Sequence, residues 1–177
     1  MRFCAWSPRC LASTTATATW PASASKRRDA RHPSDTRDHG APIWESWGRA
    51  DLVLGQICNL PYRTAFHGRV TLIGASDHGL PDAAAGHYYS VLVTRADDPR
   101  EDLAAFRTAP FAYNEPLSQS GWAAPWTLAK SQAFSFANRL PTGAHVNSAR
   151  AVAEGPADIA AIAAVTWAMI QRYAPFA

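Results

Sequence analysis

The chain has 177 residues, 47% of them hydrophobic, and a formal net charge of +3. That is enough for one core of ordinary size, or one lobe and part of another, and there is no run of 18 apolar residues to span a membrane. Residues 1–40 hold seven of the basic residues and three of the acidic ones, against ten and eleven in 41–177, so the body of the chain is near neutral and its pI of about 9.0 is no nucleic-acid footprint.

Residues 1–40 are rich in Ser, Thr, Ala, Arg and Pro and show neither a period of 2 nor one of 3.6. A targeting peptide, a disordered arm and a sequence never selected to fold all fit, and the expectation is a disordered or non-native segment. A secretory signal does not fit, because Ser7-Pro8-Arg9 breaks the apolar stretch. The cluster Lys26-Arg27-Arg28 with Arg31 reads as a solvated tail.

From Ala41 the texture changes. Trp44 and Trp47 are spaced as on one face of a short helix. Asp51–Gln56 reads as a short strand, and Cys58 behind it as a small buried residue. With Cys4 and Cys10 it forms neither a metal spacing nor an even disulfide framework. Val70–Ile73 is a second strand, and 76–86, with Gly79, Pro81 and Gly86, a connection. Tyr88–Thr94 is the strongest strand signal, β-branched and aromatic throughout. Asp98-Pro99 predicts a capped helix start with Leu103 and Phe106 on its buried face.

A strand at Phe111–Tyr113 and a helix of about ten residues from Ser120 follow. Phe134–Phe136 suggests a further strand. A helix begins near His145 and ends at Gly155, and a last strand at Asp158–Ile162 leads to a helix over Val165–Tyr173. Strands alternating with helices from Tyr88 onward predict an α/β layer on a largely parallel sheet, with ligands beyond the carboxyl ends of its strands.

Phe111–Trp122, F-A-Y-N-E-P-L-S-Q-S-G-W, sits at such an end. A strand stops at Asn114-Glu115-Pro116, and Ser118, Ser120 and Gly121 open a helix. Free N–H groups of a first turn, the helix dipole and serine hydroxyls together suit an anion. The plainer alternative is a serine that caps its own helix.

The pattern resembles the substrate-binding proteins of phosphate/phosphonate ABC transporters, the PhnD-like family with the two-lobed type II periplasmic-binding fold. The resemblance rests on D-L-V-L-G-Q-I-C-N-L-P-Y-R at 51–63, G-H-Y-Y-S-V-L-V-T-R-A-D-D-P at 86–99 and A-Y-N-E-P-L-S-Q-S-G at 112–121. It continues through T-G-A-H-V-N-S-A-R-A-V-A at 142–153 and A-D-I-A-A-I-A-A-V-T-W at 157–167. It implies an oxyanion at Ser118, Gln119, Ser120 and Gly121, with Tyr88 and His145 lining the cleft and Gln56 and Tyr62 on the first-lobe wall. It departs from the family at Ala163, where an aspartate is common, and at Asn59, which replaces a common glycine.

The organisation it implies is 1–40 as a non-native or disordered segment, 41–87 as a partial first lobe and 88–177 as a second α/β lobe. The second lobe is expected complete and the first incomplete. The expected function is non-catalytic binding of a small oxyanion for an ABC-type uptake system, with no cofactor, no metal, no nucleic acid and a permease partner implied by the family. A non-functional receptor fragment is the alternative, and less so a hydrolase built on Ser118 or Ser120, His145 and Asp158, which lacks a G-x-S-x-G elbow. The resemblance implies an extracytoplasmic place, without a secretory signal in the sequence.

Overall fold

The computed structural model describes residues 3–6, 13–14, 16–19, 43–174 and 176. Its strands are β1 (Phe3–Trp6), β2 (Ser13–Thr14), β3 (Ala16–Thr19), β4 (Leu54–Ile57), β5 (Thr71–Gly74), β6 (His87–Tyr88), β7 (Ser90–Arg95), β8 (Pro110–Tyr113), β9 (Asn138–Pro141) and β10 (Ile159–Ala163). Its α-helices are α1 (Ile43–Gly48), α2 (Asn59–Pro61), α3 (Ala124–Ser131), α4 (His145–Glu154) and α5 (Ala164–Tyr173).

The main sheet has the order β1-β7-β10-β8-β9. Its strands β7, β8 and β10 are buried on both faces, so their side chains divide by a period of two between two cores. Phe111, Tyr113, Leu92, Ile159 and Ala161 point to one, where Leu103, Phe106 and Ala129 of α3 cover them. Ala112, Val93, Ala160 and Ile162 point to the other, against Ala149 and Val152 of α4 and Trp167 and Ile170 of α5. The result is an open α/β sheet between two helical layers.

The sheet is mixed, not largely parallel. β8 pairs in parallel with β9 and β10, while β7 runs antiparallel to both β10 and β1. The reason lies in the connections. The helices α3 and α4 provide the crossovers that parallel neighbours require, whereas between β7 and β8 the chain offers only one 3₁₀ turn, Leu103–Phe106.

That turn also revises the expected helix at Asp98. Asp98 instead binds Arg100 through its side chain, and Asp102 caps the turn by accepting the Ala104 N–H at 3.1 Å. The strand expected over Tyr88–Thr94 is divided at Tyr89 into β6 and β7. Phe134–Phe136 forms no strand. Phe136 instead stacks on Phe111 at 4.2 Å between centroids, and pairing resumes at Asn138. The helix at His145 ends as expected at Gly155, in the left-handed region at φ 102°.

The first forty residues are not without structure throughout. β1 pairs with β7, β2 with β6, and β3 stands between β4 and β5 in a three-stranded sheet. Strand pairing is satisfied by main-chain groups, so it can form where side-chain periodicity gives no signal. Lys26, Arg27, Arg28 and Arg31 lie outside the described residues.

Trp47, Ile57 and Phe66 form a separate small core, with Trp44 edge-on to Trp47 at 5.5 Å. Beyond it Leu54, Leu72 and Ile73 are exposed, as is Val53 at 78%. Among the described residues no helix is long and apolar enough to cross a membrane.

Candidate functional site

β8 and β9 run in parallel, so their carboxyl ends share one edge of the sheet. The segment after β8 and the start of α4 meet there. Thr142 N–H donates to the Tyr113 carbonyl at 2.9 Å, and Gly143 N–H to the Asn114 carbonyl at 2.8 Å. These bonds fix the α4 start against the loop that carries the serines.

After Asn114-Glu115-Pro116 the chain turns at Ser118. Its hydroxyl accepts the Gly121 N–H at 2.9 Å, and its carbonyl accepts from Ala123 N–H at 3.0 Å, an i→i+5 bond. Gln119–Ala123 is therefore a wide π-type turn that leads into α3. A hydroxyl that accepts here keeps its own O–H free to donate elsewhere.

Ser120 Oγ lies 3.0 Å from His145 Nε2, in hydrogen-bond contact, and the residue is only 2% exposed. Its carbonyl accepts the Ser90 hydroxyl at 3.0 Å, which ties the turn to β7. Gly121 is needed for space. A Cβ there would overlap Asn114 Oδ1 and come within 3.2 Å of His145 Cε1.

Burial pushes the His145 imidazole down to about 4, partly offset by the Ala161 backbone. The ring is neutral at ordinary pH. His145 Nδ1, Asn114 Oδ1 and Gln119 Oε1 are buried and have no hydrogen-bond partner.

α2 also packs on the turn. Cys58, at its N-cap, has a thiol raised by burial and by the nearby Glu115 carboxylate. The Tyr88 hydroxyl and the Gln119 N–H act on it in the opposite direction. Tyr88 is buried and also packs edge-on against His78, at 6.4 Å.

Of the residues singled out in the sequence, Ser118, Gln119, Ser120, Gly121 and His145 come together, and Tyr88 reaches them through Cys58. Tyr62 and Gln56 do not join them by any described hydrogen bond. Tyr62 packs on the Trp47–Ile57–Phe66 core and edge-on to His67. Gln56 is exposed, and its carbonyl accepts the Trp47 indole N–H at 3.0 Å. Asn114, Cys58 and Ser90 join the site without a signal of that role in the sequence: Asn114 has the look of a strand stop, Cys58 is partly buried but faces the turn, and Ser90 sits within a strand.

Asp158 is not a partner of His145. It sits at the opening end of β10, bonded to Arg100 at 2.8 Å and Arg95 at 3.4 Å, and Arg95 also donates to the Val152 and Ala157 carbonyls. The Ser–His pair therefore has no orienting carboxylate and a weakly basic ring, which is not the geometry of a triad. Among the described residues no three His, Cys, Asp or Glu side chains gather to hold a metal ion.

In an open α/β sheet the carboxyl edge, where this serine-bearing turn meets α2, is the usual place for a small-molecule site. The family model described as "ABC transporter, phosphonate, periplasmic substrate-binding protein" matches residues 48–175, and the chain belongs to that family. No curated protein matches the chain. Its place is thus that of a solute-binding component of an ABC phosphonate transport system.

Proposed function

We propose that this chain binds a small oxyanion of the phosphate or phosphonate class, without chemistry, at the Ser118–Gly121 turn and the His145 ring. The observation that carries this reading is the Ser120–His145 contact of 3.0 Å at the sheet edge where β8 and β9 end. It holds a hydroxyl and an imidazole beside a turn whose first residue is already capped. Tyr88 and Cys58 bound the site on the side of α2. Ligand would sit between the sheet edge and α2, with a membrane permease as the downstream partner.

Thermal melting of the full chain with and without millimolar phosphate or methylphosphonate tests it. A ligand at 100 times its dissociation constant adds about 2.7 kcal/mol, or about 5–11 °C for a chain of this size. The shift should vanish in Ser120→Ala while the melt remains cooperative. A cooperative melt with no shift from either ligand overturns the reading. A second reading, a chain that does not form a working receptor, is favoured by the exposed Val53, Leu54, Leu72 and Ile73. It predicts no cooperative transition.

A further inference from the structure

We infer that the site takes its oxyanion in a singly charged form that still carries a hydrogen, and excludes fully deprotonated dianions. The inference rests on the oxyanion reading above and names the form of ligand that the same site accepts.

Three buried atoms frame the argument. His145 Nδ1, Asn114 Oδ1 and Gln119 Oε1 have no hydrogen-bond partner. Two of them belong to side chains that converge on the bare face of Gly121. Leaving such atoms unpaired is costly, so a bound group that satisfies them is favoured. Carboxamide oxygens only accept. A ligand made wholly of acceptor oxygens cannot pair with them, whereas a P–OH group can.

Charge points the same way. The segment Asn114–Gly121 contains no Lys or Arg. Arg95 and Arg100 are committed to Asp158 and Asp98, while Arg139 and Lys130 lie over the Trp122 and Trp126 rings. Among the described residues the titratable groups around the turn are Cys58 beside α2, His78 and Tyr88 on the β6 side, Glu115 in the loop and His145 on α4. β10, packed on the turn, contributes only Ile and Ala. None of these is a Lys or Arg, and Glu115 brings a carboxyl group. Two uncompensated negative charges in a partly buried site are costly, and one spread over hydroxyl and N–H donors is far less so.

Titration calorimetry of the full chain from about pH 5.5 to about pH 8.5 separates the possibilities, using phosphate, methylphosphonate and sulfate. The first two lose their second proton in this neutral range, as phosphate esters do near about pH 6. Their Kd should weaken about tenfold per pH unit above that ionisation, and sulfate, a dianion throughout, should not bind. The same slope should persist in Glu115→Gln, because the titrating proton belongs to the ligand. Phosphate binding that is flat with pH or tightens as pH rises overturns the inference and leaves oxyanion binding standing. Sulfate binding that strengthens in acid also overturns it, since His145 would then be the group taking the proton. No binding of phosphate or methylphosphonate at any pH overturns this inference and the oxyanion reading together.

Discussion

Lowering the pH from neutral to about 4.5 should destabilise the wild-type chain by about 2 kcal/mol relative to His145→Asn. In the folded chain the imidazole has a pKa of about 4, against an ordinary 6.5 once unfolded. Between those values the unfolded chain binds the extra proton, so stability rises with pH. His145 therefore contributes fully above about pH 6.5, and its contribution is lost as pH falls toward about 4. The whole shift amounts to about 3 kcal/mol, of which about 2 is gone at about pH 4.5, or about 4–8 °C in Tm. Asparagine cannot titrate, so subtracting its urea-unfolding curve removes the other histidines and the carboxylates. The difference between the two proteins should shrink or reverse in acid. A difference that is equal at neutral pH and at about pH 4.5 would refute the reasoning, as would an NMR titration placing His145 near 6.5.

Further outcomes follow from the packing. Gly121→Ala should cost about 1–3 kcal/mol, because Asn114 and the His145 ring occupy its side-chain space. Its melting temperature should drop and any phosphate-induced shift should disappear. Asp158→Asn should destabilise by about 1–2 kcal/mol, since Arg95 and Arg100 lose a shared, partly buried carboxylate. Oxyanion affinity should be unchanged in that variant, and a large loss would show that Asp158 reaches the site after all. Phe111→Ala should cost about 3–5 kcal/mol, measured by urea unfolding, because the ring is fully buried and stacked on Phe136.

The site was legible where local chemistry alone builds it. Ser118 caps the turn, Gly121 leaves room, and both signals lie in consecutive residues. Gly155 as a helix end and the short apolar runs of β8 and β10 are readable for the same reason. What escaped depends on partners distant in sequence. Asp98 looks like a cap until Arg100 binds it, and Asp102 takes its place. Phe134–Phe136 has strand composition, but stacking on Phe111 places Phe136 in the core while the chain stays out of the ladder. The strands in the first twenty residues are supported by main-chain pairing with β4, β5, β6 and β7, which leaves no trace in a hydrophobic period. Gln56 and Tyr62 belong to a resemblance in sequence, yet the Gln56 carbonyl and the Tyr62 ring serve the Trp47 region.

The row of rings from Phe136 through Phe111 and Tyr113 to Trp122 and Trp126 has an optical consequence. Trp122 follows Gly121 directly, so any ligand that tightens the turn changes the surroundings of an indole one peptide bond away. The indole is also stacked on Trp126 at 5.2 Å, close enough for excitation to pass between them. The chain thus carries its own emission probe beside the Ser118–Gly121 turn. Trp122→Phe would remove it, and the emission left would come from its neighbour Trp126 and the other five tryptophans.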